Sequence, residues 1–209
     1  GDVYKRQELV SLTFRTVGLG LISAIIIIIF SLILTLANRQ NNNLIMRFVT
    51  FPAGIGYAVP GTVLAISLIS ISNSKFLFVA VGILIWGYVV RFLTISKGSL
   101  ESGFERISPS IDEAAKGLGS NWLGVIKKIH FPLLKGPILV GSLLVFVDII
   151  KELPITFILR PFDFDTLSVR IYQYAGDERM AEAILPALFI TILGLIASST
   201  LIPSLEKKN

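Results

Sequence analysis

Apolar runs without charge, broken by short polar stretches, set the pattern of this chain. A helix crossing a hydrocarbon core of about 30 Å needs about 20 mainly apolar residues. Residues 16–37 meet that requirement, with isoleucine at every position from 25 to 29 and no charge. Residues 48–72 form a second uncharged run, interrupted by Pro52, Gly54, Gly56, Pro60 and Gly61. Proline lacks the N–H that an interior helical turn needs, so a regular span is predicted over about 57–72. Residues 76–96 form a third, with Trp86 and Arg91 in its second half. Arg91 reads as an inner-end residue whose head reaches the polar boundary while its stem stays among apolar groups. A shorter apolar core at 138–150 extends to 154 if it accepts Asp148, Lys151 and Glu152, and residues 184–205 make the fifth run. The pattern predicts an all-α polytopic membrane protein with about five transmembrane helices and one long polar loop, 97–136.

Composition agrees. Hydrophobic residues make up 53% of the chain, charged residues 16%, and mean hydropathy is +0.77. A soluble domain carries about 25% charged residues, so this chain lacks the polar surface to cover itself in water. The absence of Cys excludes disulfides and thiolate metal sites, and the single histidine, His130, excludes a multi-histidine centre. The net charge of +5 would hint at nucleic acid in a soluble protein; here its placement matters more, and no nucleic-acid partner is expected. The chain begins without Met, and Asp2 to Gln7 resembles a translated sequencing-adapter end. Residues 1–7 are therefore set aside, and the chain is expected to be a piece of a longer one.

Lys and Arg in short loops mark the cytoplasmic side. Ten fall on the side of the 97–136 loop and the 206–209 tail, against five on the other, leaving out Lys5 and Arg6. That asymmetry predicts a cytoplasmic loop and C-terminus. The 155–183 segment then faces outside with three Arg and five acids, charges that can simply solvate it.

The long loop is patterned. Ser110 and Glu113 fit a capping box, and Asp112 and Glu113 suit the positive end of a helix dipole. The helix is predicted from Ile111 to about Leu118, with Gly117 and Gly119 offering a C-cap. Ser120 is predicted to cap a second short helix through Ile129, ended by Pro132. The plain reading is an ordinary capped surface helix between two spans.

The spacing Glu113-Ala114-Ala115, three residues, Gly119, nine residues, Ile129-His130-Phe131-Pro132 resembles the EAA loop of ABC importer permeases. Phe131 stands where that family usually has Leu. The resemblance implies a type I importer permease core whose coupling helix, carried by Glu113, Ala114, Ala115, Gly119, Ile129 and Pro132, docks on a cytoplasmic ATPase dimer. ATP and Mg would be bound by that partner, since the chain has no GxxxxGK[ST] phosphate loop. The chain itself would hold no cofactor and would not be an enzyme.

Further stretches resemble ferric-iron-type permeases: Gly56-Tyr57-Ala58-Val59-Pro60-Gly61, Lys151-Glu152-Leu153-Pro154-Ile155-Thr156, Leu159-Arg160-Pro161-Phe162-Asp163, and Ala181-Glu182-Ala183-Ile184-Leu185-Pro186-Ala187. The likeness covers nearly all of residues 8–205. It implies the C-terminal half of a two-half chain, with a second permease half and an external substrate-binding protein as further partners. Ferric ion favours hard oxygen ligands, which makes Tyr57, Asp148 and Glu152 candidate pathway residues, with the metal ligation itself unassigned. Asp148 and Glu152 lie four apart on one helical face, but Lys151 lies three from Asp148, and an Asp148–Lys151 pair that lets the helix end near the outer interface is the preferred reading. Trp86, Tyr88 and Trp122 read as packing or interface residues. Alternatives are an ABC permease for polyamine, thiamine or sulfate, and a secondary transporter whose span is broken at Pro60 and Gly61.

Overall fold

The computed structural model describes residues 2–40, 43–71 and 77–200, all helix and connection with no strand among them. The first helix, α1 (Asp2–Gln40), is followed by α2 (Leu44–Ile55), a 3-10 turn (Gly56–Ala58), α3 (Gly61–Ile71) and α4 (Leu77–Phe104). Two short helices, α5 (Pro109–Gly117) and α6 (Trp122–Val125), precede a π turn (Ile126–His130) and α7 (Phe131–Ile150). The described residues close with α8 (Pro154–Leu159), α9 (Leu167–Gly176) and α10 (Met180–Ser199).

Four helices among the described residues are long and apolar enough to cross a membrane: Arg6–Gln40, Val79–Phe104, Trp122–Ile150 and Met180–Ser199. The run expected to span at 57–72 is instead the 11-residue α3, about 16 Å long at 1.5 Å per residue, roughly half a hydrocarbon core. Pro60, which cannot donate to the preceding turn, sits between the 3-10 turn and α3, and Val59 takes extended angles there. The predicted end of the 184–205 span and the 206–209 tail lie outside the described residues.

The centre is a bundle of α1, α4 and α7. Leu19, Ala24 and Ile27 of α1 meet Leu84, Tyr88 and Phe92 of α4 and Val145 and Ile149 of α7. With apolar residues on every face of α1, small and hydroxyl residues mark the inward side. Ser23, Ala24, Ser31 and Thr35 are buried, whereas Leu21, Ile25, Ile29 and Ile33 are exposed. Small residues let helices approach closely where lipid removes any hydrophobic drive between them. The hydroxyls of Thr16 and Thr35 bond back to Leu12 O and Ser31 O at 2.7 Å each. The turn before α3 is fixed in the same way: a side chain on Gly56 would place its Cβ 1.8 Å from Val90 O. No other residue fits there.

Two expectations change at α7. The span does not extend through 154; it stops at Ile150, and Pro154 opens a new helix as its first residue. Pro154 cannot donate to Ile150 O and its ring crowds the carbonyls one turn back, so the regular helix stops although Leu153 keeps helical angles. At the other end Pro132 does not end a surface helix. The backbone runs on from Trp122 to Ile150, with Phe131 N donating to Ile126 O five residues back. The widened π turn relieves the clash between the Pro132 ring and the preceding carbonyls.

Candidate functional site

The loop helix α5 starts earlier than the capping pattern suggests. Pro109 takes the first helical position, where its missing N–H costs nothing, so Ser108 becomes the N-cap and accepts from Ser110 N at 3.4 Å. Ser110 lies inside the helix with its hydroxyl 2.7 Å from that of Ser108, and Glu113 is exposed; the Ser110–Glu113 capping box does not form. The second cap also moves by one, from Ser120 to Asn121, whose Oδ1 accepts from Gly124 N at 2.8 Å.

The other end of α5 follows from its glycine. Ser120 N donates to Ala115 O at 3.0 Å and Gly119 N to Lys116 O at 2.9 Å, the paired bonds of a Schellman cap. Gly119 supplies the left-handed residue this cap requires, at φ +84°. Ala114, Gly117 and Gly119 are exposed and Ala115 half-buried; Ile111 lies on the same stripe, and Leu118, just past the helix, is 89% exposed. The result is a short apolar surface with small side chains that lets another backbone come close. Ile129 and Pro132 are not on it. Half-buried Ile129 belongs to the π turn and exposed Pro132 to the first turn of α7. The two ends of the motif thus sit in two places, a protruding helix and the root of a span.

Behind α5 lies a cluster that the spacing did not reveal. Asp112 is buried. Its Oδ2 accepts from Arg39 Nε at 3.0 Å and its Oδ1 from His130 Nε2 at 2.8 Å. A carboxylate only accepts, so His130 carries its proton on Nε2. Arg39 also donates through Nη2 to Ile107 O at 2.8 Å. Phe104 and Trp122 meet the His130 ring edge-on, at 5.1 and 5.5 Å. Burial raises the Asp112 carboxyl, but the hydrogen bonds and charges of His130 and Arg39 outweigh it and hold the group below its ordinary value.

The second candidate region forms where two helices break. Tyr57 on the 3-10 turn, Arg91, Asp148, Lys151 and Glu152 line one cavity of about 260 Å³. The three residues proposed for a pathway do come together. Each carboxylate, however, already has a cation: Lys151 Nζ lies 2.7 Å from Asp148, and Arg91 Nε lies 3.7 Å from Glu152 Oε2. Glu152 Oε1 also accepts from Ile155 N at 3.2 Å, in the first turn of α8. Arg91 does not reach for a membrane boundary. It sits mid-way along α4, donates to Val59 O at 2.7 Å and covers the Tyr57 ring at 5.6 Å. The carbonyl freed by the break before α3 and the Glu152 charge hold it inside. A lone Arg in an otherwise uncharged span was the available signal. Among the described residues no group of three or more His, Asp or Glu stands close enough together to hold a metal ion.

The aromatic residues divide. Tyr88 is buried with its hydroxyl 2.5 Å from that of Thr156, and Trp86 is exposed against Phe30. The charges of the 155–183 segment pair largely with one another and with α1: Arg160 with Asp165, and Arg170 with Asp165 at 3.3 Å and with Glu8 at 2.6 Å. Phe162 at the tip of the segment is fully exposed.

Comparison with known proteins gives two likenesses. The family described as binding-protein-dependent transport system inner membrane component matches residues 27–208. The chain is also similar to the Fe(3+)-transport system permease protein FbpB 2 of Haemophilus influenzae, 28% identical over 138 residues. That alignment covers 65% of this chain and 27% of that protein, so the chain spans about a quarter of its relative's length.

Proposed function

The chain belongs to the inner membrane components of binding-protein-dependent transport systems, and from that premise we propose that it lines the pathway of an ATP-driven importer and docks through α5 on a separate ATPase. It is a multi-pass membrane protein and a transport permease. The observation that carries the docking reading is the exposed stripe of Ile111, Ala114 and Leu118 on a helix closed by Gly119. A helix whose apolar side chains meet solvent is suited to a groove on another protein. ATP and Mg act in that partner: closure of an ATPase dimer moves α5, the movement reaches the spans, and the pathway opens outward; hydrolysis resets it. The reading places the 97–136 loop and the C-terminus in the cytoplasm, and assigns a second permease half and an external receptor as partners.

Ferric iron is the proposed cargo. Support comes from the name of the similar Haemophilus protein and from the meeting of Tyr57, Asp148 and Glu152 at one cavity. An incoming trivalent cation would take over carboxylates now held by Lys151 and Arg91. One observation favours a second reading: two cations face two carboxylates in that cavity, which suits a solute other than a bare cation. Polyamine, thiamine and sulfate permeases are the alternatives. Titrating the purified external receptor of the same system with ferric ion and with each of these solutes decides between them; no ferric binding removes the iron reading. The docking reading is tested by co-purification. Leu118→Asp in the full permease is expected to release the ATPase subunit, and retention of a fully coupled ATPase would remove it. A secondary transporter would instead show gradient-driven uptake and no ATPase at all.

A further inference from the structure

We infer that Asp112 is the positioning residue that joins the docking helix to two spanning helices, with Arg39 and His130 as its anchors. This rests on the docking reading and adds the route by which a displacement of α5 reaches the pathway. α5 has nine residues, packs chiefly on the four-residue α6, and buries a single side chain, Asp112. A helix this short has little cohesion of its own. Whatever moves it acts on the rest of the protein through the links at its ends, its packing on α6 and that carboxylate.

Both carboxylate oxygens are used, and they point to different spans. Oδ2 meets Arg39 on the last turn of α1; Oδ1 meets His130 at the root of α7. The same guanidinium holds Ile107 O in the link that leads from α4 into α5. Rings fill the space around these bonds: Arg39 lies over Phe104, Phe104 and Trp122 flank His130, and Lys116 of α5 lies over Trp122 at 5.4 Å. Ends of α1, α4, α6 and α7 therefore gather around this carboxylate and its two anchors. Hydrogen bonds to a charged acceptor are shorter and stronger than neutral ones, so they resist the sliding that an apolar contact permits. At 100° per residue, Asp112 points about 130° away from the centre of the Ile111, Ala114 and Leu118 stripe. One side faces the partner and the other holds the spans. α7 then runs 20 residues, about 30 Å, from His130 to the break at Lys151–Leu153 beside the charged cavity. A tilt of its root is delivered there.

The test uses the complete permease with its ATPase in vesicles and needs no identified cargo. This chain has no cysteine, so with any cysteine elsewhere in the complex replaced, Leu153→Cys at the cavity reports its exposure by its rate of reaction with a maleimide, with and without ATP. ATP is expected to change that rate about tenfold, in the range of ordinary coupling energies. Asp112→Ala and His130→Leu should abolish the ATP response while the ATPase stays bound, and His130→Gln, which keeps a donor, should restore it. A full response in Asp112→Ala and His130→Leu with the ATPase bound overturns the inference. So does loss of the ATPase in Asp112→Asn to the extent seen in Leu118→Asp, because Asp112 would then only fold α5. An ATPase that remains bound to Leu118→Asp sinks the docking reading instead.

Discussion

Asp112 and Arg39, 73 residues apart in sequence, meet side chain to side chain at 3.0 Å, so the end of the first helix is tied to the centre of the polar loop. The tie has a sign in pH. The Asp112 carboxyl is held below its ordinary value, so its stabilising contribution is complete above the ordinary carboxylate range and is lost as pH falls through the lowered value. Thermal unfolding of the purified permease across an acid series should show this decline. Asp112→Asn should be less stable at neutral pH and should lack that part of the acid dependence; an unchanged acid limb would argue against the assignment.

Gly119 carries its cost in the backbone alone. No atom lies within 4 Å of a Cβ built there, yet φ is +84°. Gly119→Ala is therefore expected to destabilise the loop by about 1 kcal/mol without a clash, and Gly119→Val by more. Amide exchange of residues 114–120 measures it. Equal protection in all three proteins would show that the left-handed turn is unimportant.

Gly56 is the opposite case. Its built Cβ falls on Val90 O, so even Gly56→Ala must push the 3-10 turn off α4. Transport and folded yield should both drop steeply, whereas Gly54→Ala, with open space around it, should be tolerated. Comparing the two in one fluorescence-detected gel-filtration experiment separates crowding from simple loss of glycine.

Arg91 and Glu152 make the strongest case for a double substitution. Removing one partner of a buried pair costs about 3–5 kcal/mol, because the other is left uncompensated. Arg91→Leu should be more damaging than the Arg91→Leu, Glu152→Leu double variant in thermal stability. If the double variant is the worse of the two, the pair is not what holds the cavity wall.

Much of this architecture was legible from apolar runs alone, because lipid demands a length and a polarity that few soluble helices meet. The exceptions have local causes. The apolar run carries the expected span to Pro154, but a proline one turn past Ile150 starts a helix more readily than it continues one. Pro109 moved the cap of α5 to Ser108, overriding a capping box that spacing alone supported. Gly119 was read correctly since a left-handed turn leaves a mark in the sequence. The Arg39–Asp112–His130 cluster leaves none: its members lie in three separate segments and only the fold brings them together. The place of Arg91 is hidden for the same reason, its partner being a carbonyl 32 residues away that becomes free only when Pro60 breaks the helix.

The π turn at 126–130 holds one more residue than an α-helical turn would. Deleting that extra residue would return the turn to α-helical form with little change of phase, whereas a residue added or deleted elsewhere in the helix from Trp122 would turn everything before it by about 100° around the α7 axis. Asp112 could no longer face Arg39, and the Leu118 stripe would point in another direction. The segment between Gly119 and Pro132 is thus a phase setting, in which the number of residues matters more than most of their identities.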